Sequence, residues 1–222
     1  MVHTAVVIMA KAPEAGSVKT RLCPPLAPQT AAALYRAFLV DKIAQVRQLA
    51  HARPTIAYTP EDSHGFFAAL APDFLLISQQ GADLGERLAN SFVQCFATGY
   101  TGVMAIDSDT PTLPTDFLQH AVGLLAMPHT DVVIGPSDDG GYYLIGLRAL
   151  HRELFNNMPW STAAVVPETQ KRATAKGLKI AWLPPWFDID TAADLRRLQT
   201  TLAQTTATEP RYTRQFFLEH AV

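Results

Sequence analysis

Cysteine is scarce in this chain: Cys23 and Cys95 are its two cysteines in 222 residues. Two thiols cannot build a disulfide framework, and their spacing suits no zinc site, so reduced thiols and a cytoplasmic location are expected. Basic charge is in no surplus. Eighteen Lys and Arg against 20 Asp and Glu leave a net charge of −2, which argues against a nucleic-acid partner, whose phosphates need neutralising. Long apolar runs are missing too. The apolar start over residues 5–10 stops at Lys11, too short for a signal peptide or a membrane span. The seven histidines form no H-x-x-x-H pair and C-x-x-C is absent, which argues against a zinc site. Without G-x-S-x-G there is no nucleophile elbow of a serine hydrolase. Neither the Walker A spacing nor G-x-G-x-x-G occurs, and no internal repeat is visible.

What is present is core material: 48% of residues are hydrophobic and 17% charged, the balance of a packed domain. One α/β domain is expected over residues 1–204, followed by a linker and docking tail over 205–222. Residues 4–10 read as a strand buried on both faces. Pro28 opens a helix to about residue 50, with Leu34, Phe38, Leu39, Ile43, Val46 and Leu49 at helical spacing. Strands are expected at 55–59 and 74–78, around a short helix at 66–70. Asp83 and Glu86 have the spacing of a helix cap, and Leu84, Leu88, Phe92 and Phe96 carry that helix to about 98. Strands at 102–106, 131–135, 142–147 and 178–183 follow. The helices between and after them cover 114–127, 161–176 (distorted by Pro167) and a last one capped by Asp190 and ending near 203. Such alternation predicts a parallel or mostly parallel sheet with helices on both faces, and ligands bound beyond the carboxyl ends of the strands. Polar clusters at 11–21, 107–111 and 188–190 fall at those ends.

The first cluster, KAPEAGSVKTR, places Lys11, Lys19, Arg21 and Gly16 in one loop. Glycine allows close approach of the backbone to a phosphate, and cations can neutralise its oxygens. In the second, Asp107-Ser108-Asp109-Thr110-Pro111, two carboxylates repel until a cation relieves them. Hard oxygen ligands of this kind suit Mg²⁺ or Mn²⁺, although Asp and Pro also serve turns. A third cluster runs from Gly135 through Asp138, Asp139, Gly140, Gly141 and Tyr142. It suits either a ligand close to the backbone or a glycine-rich hairpin, and Asp138 or Asp139 could hold a substrate hydroxyl or act as a base. The fourth, Asp188-Ile189-Asp190-Thr191, combines helix-capping residues with a further candidate ligand, Asp190 or Asp188. Gln80, Gly81 and Arg87 are weaker candidates for contacts to a base or ribose. Trp160, Trp182 and Trp186 read as packing residues.

Taken together, KAPEAGSVKTRL at 11–22, QGADLGERL at 80–88, DSDTPTLP at 107–114, GPSDDGGYYLIGL at 135–147 and WFDIDTAADL at 186–195 resemble the GT-A-type nucleotide-diphospho-sugar transferase superfamily. Within it, the chain is similar to the bacterial family known as selenodomain-associated or glycosyltransferase-A-like transferases. The resemblance covers nearly the whole chain. It implies a three-layer α/β/α sandwich with a Rossmann-like mixed sheet containing one antiparallel strand, and Mg²⁺ or Mn²⁺ at the acidic triplet. DSDTPTLP is similar to the D-x-P-x-L-P segment of molybdopterin guanylyltransferases, which implies Asp109 as the leading metal ligand beside Asp107. DIDTAADL is similar to the D-T-P-E-D-L segment of sugar-acid cytidylyltransferases, which implies a metal ligand at Asp190. Ala192 and Ala193 depart from that segment.

Three functions are open at this point. Nucleotidyl transfer from a nucleoside triphosphate to a phosphorylated small molecule comes first on loop chemistry: Lys19 and Arg21 neutralise phosphates while Asp109 and Asp190 hold the metal. Glycosyl transfer from a nucleoside diphosphate sugar is the alternative, with Asp139 as acceptor base. A non-catalytic nucleotide-binding module is the third. The tail at 211–222 carries Tyr212, Phe216, Phe217 and Leu218, enough apolar surface to dock on its own domain or to form a homodimer.

Overall fold

A computed structural model describes residues 4–205 and 208–220. Seven strands form one sheet, in the order β3-β2-β1-β4-β6-β5-β7. The strands are β1 (Thr4–Lys11), β2 (Ala52–Thr59), β3 (Leu75–Ser78), β4 (Gly102–Ile106), β5 (Val132–Pro136), β6 (Tyr142–Leu147) and β7 (Ile180–Trp182). All neighbours run parallel except β6, which is antiparallel to both β4 and β5. The helices are α1 (Pro28–Arg47), α2 (His64–Leu70), α3 (Leu84–Ala97), α4 (Thr115–Ala126), α5 (Val165–Ala175), α6 (Ala192–Gln204) and α7 (Arg211–Glu219). No helix among the described residues is long and apolar enough to cross a membrane. Cys23 and Cys95 are free thiols.

Alternation of side chains along the central strands feeds two cores. Val6, Ile8 and Met104 meet Leu39 and Ile43 of α1 and Leu118 of α4 on one face. Val7, Val103 and Ile145 meet Leu88 and Phe92 of α3 and Ala173 of α5 on the other. The result is the three-layer α/β/α sandwich. A third cluster lies on the outer side of α1, where Leu34 and Phe38 pack with Ile189, Leu195 and Leu198. Val18, Leu22 and Leu26 of the loop after β1 are buried in the same cluster, so that loop is anchored to α6 rather than free in solvent.

Local chemistry explains several boundaries. Asp83 accepts from the Glu86 backbone N–H at 2.9 Å and caps α3, as its spacing predicts. Asp190 does not cap α6. Thr191 does, in a reciprocal box with Asp194, because the Asp190 carboxylate is engaged elsewhere. Pro167 distorts nothing: α5 starts at Val165, so the proline falls in the first turn, where no backbone N–H is needed. α6 runs to Gln204, and Thr206 and Ala207 of the expected linker lie outside the described residues. The tail docks on its own chain through α7, whose Phe216 is buried beside α1.

Candidate active site

β1 and β4 are parallel neighbours. From β1 the sheet grows outward through β2 and β3, and from β4 it grows the other way. Their carboxyl ends therefore flank the switch point where open α/β sheets bind ligands. The loop after β1 and the Asp107–Pro111 turn after β4 meet there.

A relay of hydroxyls ties the two loops together. The Lys11 backbone N–H donates to Tyr35 Oη at 3.1 Å, and Tyr35 Oη lies 2.8 Å from Ser108 Oγ. Ser108 gives its proton to the Met9 carbonyl at 3.0 Å, so Tyr35 is the donor to Ser108. Beneath the turn, the buried Lys42 ammonium donates to the Thr110 carbonyl and hydroxyl at 3.1 and 2.9 Å. Thr110 Oγ1 donates to Asp107 at 2.6 Å. Burial, with the nearby Asp109 charge, pushes Asp107 up to about 8 against the opposing pull of Lys42.

Lys19 reaches the centre from a left-handed backbone conformation, φ 48°. Its ammonium donates to Asp109 at 2.5 Å and to Asp190 at 2.8 Å, with 6% of the side chain exposed. Burial alone would lower the lysine, but Asp109 and Asp190 outweigh it and hold the ammonium above its ordinary value. Arg21 joins Asp190 from the solvent side at 3.1 Å. Burial pushes the Asp190 carboxyl up, but Lys19 and Arg21 together bring it below the usual range. Asp188 accepts from Ser137 Oγ at 2.9 Å. Burial, then the charges of Asp109 and Asp190, push it up to about 6.

Asp109, Asp188 and Asp190 each offer an oxygen, all within 4.8 Å of one another. Three carboxylates face two cations, Lys19 and Arg21, so formal negative charge is in excess. Hard oxygen donors short of one or two positive charges fit Mg²⁺ or Mn²⁺. The sequence expectation grouped Asp107, Asp109 and Asp190. In the structure Asp188 stands beside Asp109 and Asp190, and Asp107 faces Thr110 and Lys42.

Three cavities meet at these carboxylates. A basic one of about 380 Å³ is lined by Lys11, Lys19, Arg21, Arg87, Asp109 and Asp190. An acidic one of about 200 Å³ is lined by Asp107, Asp109, Asp139, Asp188, Tyr142 and Trp160. The last, of about 310 Å³, includes Arg21, Arg197, Asp138, Asp139, Asp188 and Asp190. Each pair of cavities thus shares a triad carboxylate.

Several expected residues sit elsewhere. Gln80 and Gly81 lie outside the basic cavity; Gln79 lines it, held by bonds to the Ala10 and Ala57 carbonyls at 3.1 and 2.7 Å. Arg87 is steadied by the Gly81 carbonyl at 3.1 Å. Gly16 occupies an exposed turn at φ +78°, with nothing within 4 Å of where a Cβ would sit. Gly140 serves its own chain: at φ +90°, a side chain there would strike the Ala163 backbone at 2.5 Å. Gly141 lines the acidic cavity and gives its N–H to Asp139 at 2.9 Å. Asp138 pairs with Arg197 at 2.7 Å. Sequence reasoning passed over Lys42, Gln79, Arg197 and Ser137. Lys42 alone had a local signal, a charge inside the buried 39-43-46 stripe of α1.

This sheet order, with its single reversed strand and acidic switch point, is the fold of the nucleotide-diphospho-sugar transferases. A candidate nucleotide-diphospho-sugar transferase of Desulfovibrio desulfuricans is 35% identical, with 99% of this chain and 95% of that one covered and a TM-score of 0.91. Two more distant structures share the fold. One is CMP:2-keto-3-deoxy-manno-octonic acid synthetase complexed with CTP, at 14% identity, 90% and 98% coverage and TM-score 0.57. The other is glucosyl-3-phosphoglycerate synthase from Mycobacterium tuberculosis with Mn²⁺, UDP and glucosyl-3-phosphoglycerate, at 16% identity, 90% and 78% coverage and TM-score 0.54. No curated protein matches the chain. Residues 42–162 match the family described as "Uncharacterized protein conserved in bacteria (DUF2064)", and the chain belongs to that family.

Proposed function

We propose that this protein is a metal-dependent glycosyltransferase that uses a nucleoside diphosphate sugar. The observation that carries this reading is the meeting of three cavities at Asp109, Asp188 and Asp190. Three moieties then have three places: the nucleoside diphosphate among Lys11, Lys19, Arg21 and Arg87, the sugar in the acidic cavity, and the acceptor beside Arg21 and Arg197. Asp109, Asp188 and Asp190 would hold Mg²⁺ or Mn²⁺. Bound there, the metal supplies neutralisation of the diphosphate as it leaves.

In this reaction the acceptor hydroxyl oxygen bonds to the anomeric carbon. The bond from that carbon to the phosphate oxygen breaks, and the nucleoside diphosphate departs with its electron pair. The hydroxyl proton passes to a carboxylate. Asp139 lines both the acidic cavity and the one assigned to the acceptor and accepts from Gly141 N–H, which supports it as the carboxylate that takes that proton. Lys19 holds Asp109 and Asp190 in register, so the charge stabilisation is preorganised.

Nucleotidyl transfer is the second reading, favoured by the cations of the loop after β1. The test is to titrate ADP, CDP, GDP, UDP and the four triphosphates with and without Mn²⁺, then to assay turnover. Release of a nucleoside diphosphate from its sugar conjugate supports glycosyl transfer. Release of pyrophosphate from a triphosphate supports the second reading instead. Nucleotide affinity indifferent to Mn²⁺, or unchanged in Asp109→Ala, would overturn the site assignment.

A further inference from the structure

We infer, building on the glycosyltransferase reading, that the sugar held in the acidic cavity is neutral or cationic, a hexose or amino sugar, and that acidic sugars are rejected. Four carboxylates line this cavity: Asp107, Asp109, Asp139 and Asp188. No Lys, Arg or His is among the described residues that line it.

The cations nearby are all committed elsewhere. Lys19 is spent between Asp109 and Asp190 on the nucleotide side. Lys42 is buried behind the β4 turn, on Thr110 and 3.9 Å from Asp107. Arg197 lines the neighbouring cavity, paired with Asp138 and lying 3.7 Å over the Phe187 ring. Arg21 pairs with Asp190. A carboxylate brought in on a sugar would therefore meet no cationic side chain in the wall and would face Asp139, which stands outside the proposed metal ligands, while hydroxyl or ammonium donors would find acceptors.

The walls suit a sugar in other respects. Leu84, Tyr142, Trp160 and Val165 give apolar surface, and the Tyr142 and Trp160 rings meet edge to face at 6.2 Å. The buried Tyr142 hydroxyl and Trp160 indole N–H have no hydrogen-bond partner among the described residues. At about 200 Å³, the cavity is smaller than the roughly 300–1,000 Å³ of drug-sized sites, which suits a single sugar ring.

The experiment measures binding of matched donors on the intact protein with Mn²⁺, after ADP, CDP, GDP and UDP have shown which base is accepted. For uridine the probes are UDP, UDP-glucose, UDP-glucosamine and UDP-glucuronate; for guanosine they are GDP, GDP-mannose and GDP-mannuronate. The expected result is tenfold or greater preference for the neutral or amino sugar over the uronate, beyond the affinity of the diphosphate itself. Thr162→Arg adds a cation to the exposed rim of the cavity and should narrow or reverse that preference, with affinity for the bare diphosphate unchanged. Equal binding of uronate and hexose overturns the inference and leaves the transferase reading standing. Failure of every nucleoside diphosphate to bind with Mn²⁺ overturns that reading and the inference with it.

Discussion

Lys19 combines a left-handed backbone with two carboxylate partners. Non-glycine residues rarely adopt that conformation, and where they do the surroundings enforce it. Here the enforcement comes from Val18 and Leu22, both buried in the third hydrophobic cluster. Lys19→Met keeps the side-chain bulk and deletes the charge, leaving Asp109 and Asp190 to repel. Breaking a buried pair costs about 3–5 kcal/mol. Because the two carboxylate side chains are 24% and 36% exposed, the expected loss is about 1–3 kcal/mol. Mn²⁺ should restore more melting temperature to the variant than it adds to the parent; equal gains would show that Lys19 is not the compensating charge.

Asp188 gives a matching pH signature. Its folded value is pushed up to about 6, while the unfolded carboxyl titrates near its ordinary ~3.9. Between those values the folded state binds the extra proton, so the group's contribution to stability falls as pH rises. Asp188→Asn mimics the protonated form. Without metal, its advantage in melting temperature over the parent should be near zero at pH 4, grow through the titration and level off above it. With saturating Mn²⁺ the order should reverse at pH 7. A difference that stays flat across this range speaks against the shifted carboxylate.

At the scale of elements, α6 separates what neighbours in sequence can say from what they cannot. DIDT offers two good capping residues in a row. The local pattern favours Asp190 as readily as Thr191, and the choice is made by Lys19 and Arg21, 171 and 169 positions away. Thr191→Ala should cost about 1 kcal/mol and also weaken Mn²⁺ binding, since Asp190 is oriented from this helix start. Asp190→Ala should lose the metal and leave the helix intact by circular dichroism. Long periodic helices such as α1 and α3, and the short, wholly buried run of β4, were legible because hydrophobic spacing is local information. Gly140 was half legible: its freedom was foreseen, but the Ala163 backbone that demands it belongs to a distant segment. The triad has the same limit. Three acidic clusters could be assigned to strand ends, but spacing could not say that Asp188 stands beside Asp109 while Asp107 turns toward Lys42.

For the molecule as a whole, the question left open by the sequence was what the tail covers. In the structure α7 lies on α1, and the Asp41 carboxylate receives the Tyr212 and Thr213 backbone N–H groups at 2.9 and 2.7 Å and the Thr213 hydroxyl at 2.7 Å. A buried anion at a helix start satisfies otherwise orphaned donors and favours the helix dipole. The same α1 carries Tyr35 and Lys42 toward the switch point, so it is the shared beam between tail and site. If the tail only braces this beam, loosening it should change stability and not chemistry. Asp41→Ala removes the anchor, and hydrogen bonds to a charged group are each worth about 1.5–3 kcal/mol. Amide exchange across Arg211–Glu219 should speed up and the melting temperature fall, while Mn²⁺-dependent nucleotide affinity stays as in the parent. Protection retained in α7 would show that Phe216 and its apolar contacts hold the tail without the carboxylate. A parallel loss of nucleotide affinity would show that the tail sets the position of the site through α1.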